Sequence, residues 1–589
     1  MRYLALATDY DGTIATNGIV DAPTLAALER LRASGRKLIM VTGRELDDLK
    51  RTFDHLEMFE WIVAENGALL YRPSNQESTY LGEPPSQAFV DELVRRGVGP
   101  ISVGGIIVAT WHPHETTVLE TIRDMGLELQ VIFNKDAVMV LPANINKATG
   151  LKQALKKLEL SAHETVGIGD AENDHAFLSM CECSAAVDNA LPAVKERADI
   201  VLSRDHGAGA TELIDRMLAN DLRDMEDKVE RHKLLFGTRS DGVELRIRPY
   251  DNGILIAGPS GSGKSTVATG LLERLGEHRL QYCLIDPEGD YTSFEGAIVI
   301  GGAKQPPVLD EALQVLKDPA RNCVFNMVGV ALADRPAMFL TLLSRLLELR
   351  AATGRPHWIV VDEAHHLLPT NWLPVVPALP QQLNRLILIT VHPNAVSPAV
   401  LETVQLVCAV GPEPGATMKE VCDVLHVPEP SLIGLKKADD QVVLWSRSTG
   451  ETALVKPTPS KSERRRHIRK YAEGELPPER SFYFRGPKQQ LNLRAQNLIL
   501  FMQTADGVDD ATWKYHLDRG DVAKWFAEGI KDKELEAEAA GIAELSAKGK
   551  QVSPKESRDL IRAAIEKRYT LPATSFMAMP DTDAKPVHA

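Results

Sequence analysis

Gly253-Ile254-Leu255-Ile256-Ala257-Gly258-Pro259-Ser260-Gly261-Ser262-Gly263-Lys264-Ser265-Thr266 sets the reading of the chain. The opening apolar run has the length of a buried strand, and Val267 to Leu275 has helical spacing, so the glycines stand at a strand-to-helix turn. The turn fits G-x-x-x-x-G-K-[ST] at every defined position. A loop with little side-chain bulk lets successive backbone N–H groups face phosphate oxygens, and the N-terminus of the next helix adds positive potential. Gly258, Ser260, Gly261, Ser262, Gly263 and Thr266 are therefore expected around the phosphates of ATP. Lys264 would reach the β and γ phosphates, and Ser265 would hold Mg²⁺.

Length and composition bound what surrounds this turn. At 589 residues the chain is too long for one core, and about 150 residues per domain gives roughly three to five. Hydrophobic content of 44% and charged content of 25% are ordinary for soluble globular domains. Sixty-seven Lys and Arg against 81 Asp and Glu leave a net charge of −14, which argues against whole-surface attraction to nucleic acid but permits a local basic channel. Six scattered cysteines without a C-x-x-C pair read as reduced, buried thiols of a cytoplasmic protein. Asp9 and Asp11 interrupt the apolar start too early for an export signal, and no apolar run approaches the ~18 residues of a membrane span.

A second strand-end motif opens the chain: apolar Tyr3 to Ala7 leads into Asp9-Tyr10-Asp11-Gly12-Thr13. Two carboxylates at that spacing can face one ligand, where like charge is tolerable only with a cation between them. D-x-D-G-T after an N-terminal strand resembles the first motif of the haloacid dehalogenase (HAD) phosphatases. By that resemblance Asp9 is the nucleophile that takes the phosphoryl group, and Asp11 is the acid that protonates the leaving oxygen and later activates water. The other parts follow in the family's order. Thr42, in Thr42-Gly43-Arg44 after the strand Lys37 to Val41, would hydrogen-bond the phosphoryl group, and Lys147, opening a helix, would offset charge on Asp9. Asp170, in Gly169-Asp170-Ala171-Glu172-Asn173-Asp174, would bind Mg²⁺ with Asp174 beside it, so the metal set is Asp9, Asp11, Asp170 and Asp174. Gly12, Gly43, Arg44 and Asn173 are the implied phosphate and substrate contacts. A capping aspartate is the ordinary role of Asp at a strand end, yet one cation and one phosphoryl group account for all four motifs together.

Ala64-Glu65-Asn66-Gly67-Ala68 with Tyr71, Asp188-Asn189-Ala190 and Lys195 to Asp199 resemble the Cof and sucrose-phosphatase-like branch of that superfamily. The resemblance implies an inserted cap between Tyr71 and Pro142 that closes over the site and selects a phosphomonoester of sugar-phosphate type. The cap is short for the type, which favours either a small substrate or a larger one approaching an incompletely covered site.

Beyond the phosphate loop, Tyr282 to Ile285 ends in Asp286-Pro287-Glu288-Gly289-Asp290-Tyr291, and His357 to Val361 ends in Asp362-Glu363-Ala364-His365. Asp362 can hold Mg²⁺ through water and Glu363 can polarise the attacking water, which is the pattern of an ATPase that hydrolyses. Leu386 to Ile389 leads to Thr390-Val391-His392-Pro393; His392 is the candidate γ-phosphate sensor, a turn-capping histidine being the alternative. These three strand ends resemble HerA/FtsK-like ATPases, which implies a homo-oligomer, a hexameric ring in that group, completed by an arginine from the neighbour. Arg335, Arg345, Arg350 and Arg385 are the candidates. The substantial N-terminal barrel of DNA-pumping members is reduced here to a hairpin at Leu234–Gly237 and Val243–Ile247.

The expected architecture is α/β with a small helical C-terminal domain. A Rossmann-like HAD core (1–72 and 143–217) with an α+β cap (73–142) is followed by a linker and hairpin (218–250) and a RecA/HerA-like P-loop domain (251–460). A small helical domain (461–572), opened by the basic run Arg464 to Lys470, and a disordered tail (573–589) complete it. The expected function is a Mg²⁺-dependent phosphatase fused to an ATPase. The alternative is a ring-shaped nucleic-acid motor whose phosphatase head trims phosphate ends.

Overall fold

The computed structural model describes the chain apart from residues 135, 227, 230, 251–252, 293, 371–384, 433–436, 462–475, 477–479, 531, 548–551 and 570–589. The basic run Arg464 to Lys470 and the tail lie outside the described residues. Two compact units form, Met1–Pro459 and Ser460–Ala589.

Strands buried on both faces read as continuous apolar runs, and helices must cover them on either side. Ala5–Thr8, Lys37–Val41, Trp61–Ala64 and Thr165–Gly169 are of this kind. They belong to an eight-stranded sheet in the order Ile200–Val201, Cys183–Ala186, Thr165–Gly169, Ala5–Thr8, Lys37–Val41, Trp61–Ala64, Leu69–Arg72 and Glu77–Tyr80. The first six run parallel, and the last two join through antiparallel pairings. Ala5 is in register with both Thr165 and Lys37. The loops carrying Asp9, Asp170 and Thr42 therefore leave the sheet side by side at its C-terminal edge, where open α/β sheets bind ligands.

The cap is a four-stranded antiparallel sheet in the order Ser102–Val103, Val108–Trp111, Ala137–Pro142 and Leu129–Asn134. Helices Gln87–Arg95 and Glu115–Asp124 back it around a small core of Phe89, Leu93, Val118 and Val140. Glu77–Tyr80, which the sequence placed in the cap segment, instead pairs with Leu69–Arg72 in the core sheet.

The P-loop part has an eleven-stranded sheet. Its parallel centre runs Val404–Ala409, Gly253–Ala257, Leu386–Thr390, Trp358–Val361, Tyr282–Asp286, Cys323–Asn326 and Ile298–Ile300. Leu234–Arg239 and Glu244–Ile247 form the expected hairpin, which adds to this sheet's edge by pairing with Thr452–Pro457. A lone hairpin is marginal in water, and this one buries Leu234 and Phe236 in the cluster that holds Leu271 of the helix Lys264–Glu277.

The N-terminal edges of the two parallel sheets abut. At that seam His163 Nδ1 lies 2.7 Å from Glu182 Oε2, and its Nε2 lies 2.7 Å from the carbonyl of His278 in the P-loop part. Both ring nitrogens face acceptors, so His163 carries two protons there. His357, across the seam, accepts from Gln281 N at 2.7 Å through Nδ1, and its Nε2 sits 2.6 Å from Glu164 Oε1. Arg355, fully buried, donates to Gln281 Oε1 at 2.8 Å, to Leu316 O at 2.9 Å and to the carbonyl of Glu159 in the N-terminal part. Arg2 pairs with Glu182 and Glu226 at 3.0 Å each and lies over the Tyr250 ring.

In the second unit Phe482–Phe484 pairs with Leu493–Ala495, and helices between Leu498 and Tyr569 pack around Phe501, Trp513, Trp525 and Phe526. The aromatics spaced along this segment are thus a core. All six cysteines are free and buried, and no helix among the described residues is long and apolar enough to cross a membrane.

The seam makes stability depend on pH. Burial, against the pull of Glu164, brings His357 down to about 4. A depressed histidine favours the folded state above its unfolded pKa of about 6.5, and that advantage is lost as pH falls toward 4, on the order of 3 kcal/mol in all. Burial would raise the Glu182 carboxyl, but the hydrogen bond and charge of His163 carry it to about 2, so its own loss falls below about pH 4.5. Chemical denaturation from pH 4 to 6.5 should show stability rising with pH, and His357→Gln should flatten that slope whatever its effect on absolute stability.

Candidate active sites

Asp9 follows the central strand Ala5–Thr8, its N–H bonded to Ile168 O at 3.0 Å, and it is only 4% exposed. Lys147 begins the helix Lys147–Lys157, capped by Asn146. Its Nζ donates to Asp9 Oδ1 and to Asp174 Oδ1, both at 2.6 Å. Asp174 Oδ2 meanwhile accepts the N–H groups of Asp170 and Ala171 at 2.9 and 3.0 Å, which fixes the loop that carries Asp170. Carboxylate oxygens of Asp9, Asp170 and Asp174 lie within 4.8 Å of one another. Burial, with the charges of Asp174 and Asp170, holds the Asp9 carboxyl well above the usual range despite Lys147. Burial would lower the Lys147 ammonium, but Asp174 and Asp9 raise it, so it stays charged.

Three carboxylates gather here and the one lysine bonds two of them, Asp9 and Asp174; hard oxygen donors short of a cation fit Mg²⁺. The side chain of Asp11 stands apart from this cluster. Arg44 holds it at both oxygens, at 2.6 and 2.7 Å, and holds Asp48 at 2.7 Å. Thr42 is buried at the end of its strand, accepting from Arg44 N at 3.1 Å. Gly12 leaves the space that Asp170 fills, and a side chain at Gly43 would meet Asn173 and Met139. Asn173 donates to Asn66 Oδ1 at 3.1 Å. Above these residues lies a cleft of about 500 Å³, walled by Asp9, Asp11 and Arg44 on the core and by Ile107, Trp111 and Met139 on the cap.

At the far edge of the P-loop sheet, Gly258, Gly261 and Gly263 adopt φ of 153°, 73° and 98°, which opens the loop for backbone N–H groups to face inward. Ser262 Oγ is buried with no partner among the described residues, so the loop fits a phosphate. Ser260 and Thr266 stand exposed beside it, and Ser265 is half-buried at the start of the helix. Lys264 Nζ rests on Pro259 O at 2.9 Å. Asp362 follows Trp358–Val361, and burial with the nearby Glu363 pushes its carboxyl up to about 8. Glu363 turns with φ 43° and lies 3.3 Å from His365 Nδ1, which is 3.1 Å from Thr390 Oγ1.

Leu386–Thr390 lies between the phosphate-loop strand and the Asp362 strand, and its buried polar end is Thr390. His392 is exposed, two residues on, where its N–H donates to Thr390 Oγ1 at 3.0 Å. The sequence reading named His392 and passed over Thr390; the end of the strand was the signal that could have found it. Of the arginine candidates, Arg350 is buried and donates to Pro356 O, and Arg385 lies near Tyr250 at the opposite, N-terminal edge. Arg345 projects from mid-helix with its side chain 53% exposed, while Arg335 opens that helix and donates to Val330 O.

Comparison with known proteins follows this division. Residues 6–95 and 118–214 match the haloacid dehalogenase-like hydrolase family, and residues 248–397 match an AAA domain. Phosphoglycolate phosphatase of Methanothermobacter thermautotrophicus is 30% identical over 223 residues, covering 36% of this chain and 98% of that protein. Phosphoglycolate phosphatase 2 of Saccharolobus solfataricus is 28% identical, covering 37% and 93%. A haloacid dehalogenase-like hydrolase of Bacteroides thetaiotaomicron with a solved structure aligns with a TM-score of 0.33 at 19% identity, covering 36% of this chain and 99% of that one. Through residues 6–214 the chain belongs to the haloacid dehalogenase-like hydrolases, and an AAA-type P-loop domain follows in the same polypeptide.

Proposed function

We propose that the chain is a phosphomonoester hydrolase joined to an ATP-hydrolysing domain of HerA/FtsK-like type. The observation that carries the first half is the buried Asp9 held by Lys147 beneath a cleft of about 500 Å³. Asp9 attacks the phosphorus, forming an aspartyl phosphate while the ester oxygen leaves with a proton. Lys147 and Thr42 orient Asp9 and the phosphoryl oxygens. An incoming phosphate dianion competes with Asp11 for Arg44, and release from that ion pair frees Asp11 to carry the proton and then to activate water. Mg²⁺, held by Asp9 and Asp170 with Asp174 behind them, would offset the negative charge gathered around the phosphoryl group.

Among phosphomonoesters, compact phosphorylated acids of the phosphoglycolate kind come ahead of sugar phosphates. The relatives carry that name, and Arg51 beside Arg44 adds a second cationic side chain to the cleft. In the second half, Lys264 leaves Pro259 for the β and γ phosphates, Ser265 and Asp362 serve Mg²⁺, and Glu363 orients water. Thr390, linked to His365, rather than His392, meets the γ-phosphate. Assembly into a homo-oligomer would bring a neighbour's arginine to this edge, and Arg335, which opens the helix Arg335–Thr353, is the candidate we favour.

Two measurements test this reading. Phosphate release from 2-phosphoglycolate with Mg²⁺ should fall on the order of 10³-fold in Asp9→Asn while ATP hydrolysis stays unchanged; release that persists would overturn the assignment of Asp9. Lys264→Ala should abolish ATP hydrolysis yet leave phosphatase kcat/KM within about twofold, because each site opens on the C-terminal edge of its own sheet while the sheets abut at their N-terminal edges.

A further inference from the structure

The motif Glu65-Asn66-Gly67 lies beside the phosphatase cleft, yet none of its side chains lines it. Glu65 and Asn66 turn the chain after Trp61–Ala64 with φ of 49° and 53°, the left-handed region that non-glycine residues seldom adopt. Strain of this kind persists where surrounding contacts over-determine it, and here each residue contacts a different part of the site. The main-chain N–H groups of Glu65 and Asn66 donate to Arg44 O and Thr42 O at 2.9 and 3.0 Å, tying down the Thr42-Gly43-Arg44 loop. Asn66 Oδ1 accepts from Asn173, in the loop between Asp170 and Asp174. Gly67, with φ of 106°, lies so close to the helix cap that a Cβ would stand 2.0 Å from Asn146 O, so the helix bearing Lys147 is seated directly on it.

The Glu65 side chain takes the remaining direction, upward. It is 3% exposed, and its oxygens accept three consecutive backbone N–H groups of the cap: Gly105 at 2.9 Å, Ile106 at 2.7 Å and Ile107 at 3.2 Å. Ile107 is part of the cap wall of the cleft. A carboxylate that accepts several N–H groups makes charge-assisted bonds, stronger than neutral ones and demanding in geometry. The only other side-chain hydrogen bond tying this cap turn to the core among the described residues is Ser102 to Glu45, part-buried.

We propose that Glu65 is a positioning residue that sets the height of the cap above Asp9, its carboxylate clamping the Gly105–Ile107 turn while Asn66 and Gly67 hold the same loop to the phosphoryl-binding parts. The kinetic consequence rests on the phosphatase reading; the structural one does not. Glu65→Gln keeps the size but replaces one acceptor oxygen with an N–H₂ group that opposes the turn's own N–H groups.

Amide hydrogen exchange on the full chain reads the clamp directly. Gly105, Ile106 and Ile107 should exchange at least about tenfold faster in Glu65→Gln than in wild type, with Val166 to Ile168 unchanged. Glu65→Asp, which keeps the charge but shortens the reach, should fall between, and it serves alone if the Gln variant does not fold. In steady-state kinetics KM for 2-phosphoglycolate should rise about tenfold with kcat within about threefold, while p-nitrophenyl phosphate, too bulky to need a closed wall, loses less. Unchanged exchange at the three amides overturns the proposal. So does a uniform rise in exchange across the HAD core, which marks a fold defect instead of a clamp. A wild-type chain that hydrolyses neither ester defeats the phosphatase reading and leaves the exchange result to decide the clamp.

Discussion

A parallel sheet has two chemically different edges, and this chain uses both. At the C-terminal edge the strands release loops, and Asp9, Thr42 and Asp170 on one sheet and the phosphate loop, Asp362 and Thr390 on the other all stand there. At the N-terminal edge the strands offer backbone groups that require partners once water is removed. Abutting two such edges therefore demands polar side chains, and the seam supplies them: Gln281 N–H goes to His357, and Arg355 collects carbonyls from both parts. Removing one member of a buried charged set of this kind typically costs about 3–5 kcal/mol, because the charge left behind has no water to turn to. The same constraint points the two sites away from each other, each about 15 Å from the seam for strands of four or five residues.

Much of this was legible in the sequence because strand-end chemistry is local. D-x-D-G-T, Thr42, Lys147, Asp170 and the phosphate loop each sit within a few residues of an apolar run, and periodicity alone locates the run. What stayed hidden depends on pairing between distant segments. Arg44 and Asp11 are 33 positions apart, Asn66 and Asn173 are 107, and Glu164 and His357 belong to different parts. Local motifs mark Asp11, Arg44, Asn66 and Asn173 one by one, but nothing in their own neighbourhoods marks any of these residues as another's partner. Glu77–Tyr80 was misplaced for a related reason: its exposed, alternating pattern suits the cap as well as the sheet edge, and only the partner strand decides. The hairpin before the phosphate loop was visible as a hairpin, but its membership in the main sheet required Thr452–Pro457, over two hundred residues on.

Both sites hold more carboxylate than cation, yet they are prepared to different degrees. Lys147 already bridges Asp9 and Asp174, and Asp174 is bonded to the backbone that carries Asp170, so the phosphatase charges stand in their working arrangement before any ligand arrives. Preorganisation of that sort is the largest lever an active site has, since no reorganisation remains to be done as charge develops. Lys264 instead rests on the carbonyl of Pro259 within its own loop, and burial lowers its ammonium even with Glu363 and Asp362 near. Phosphates entering the loop must draw that lysine across. On the proposed reading the ligand would complete the nucleotide site, and different lysine positions in the bound and free states would give a differential interaction through which binding can bias conformation. The phosphatase has no such choice at Asp9; its adjustable member is Arg44, which lines the cleft and is shared between Asp11 and Asp48.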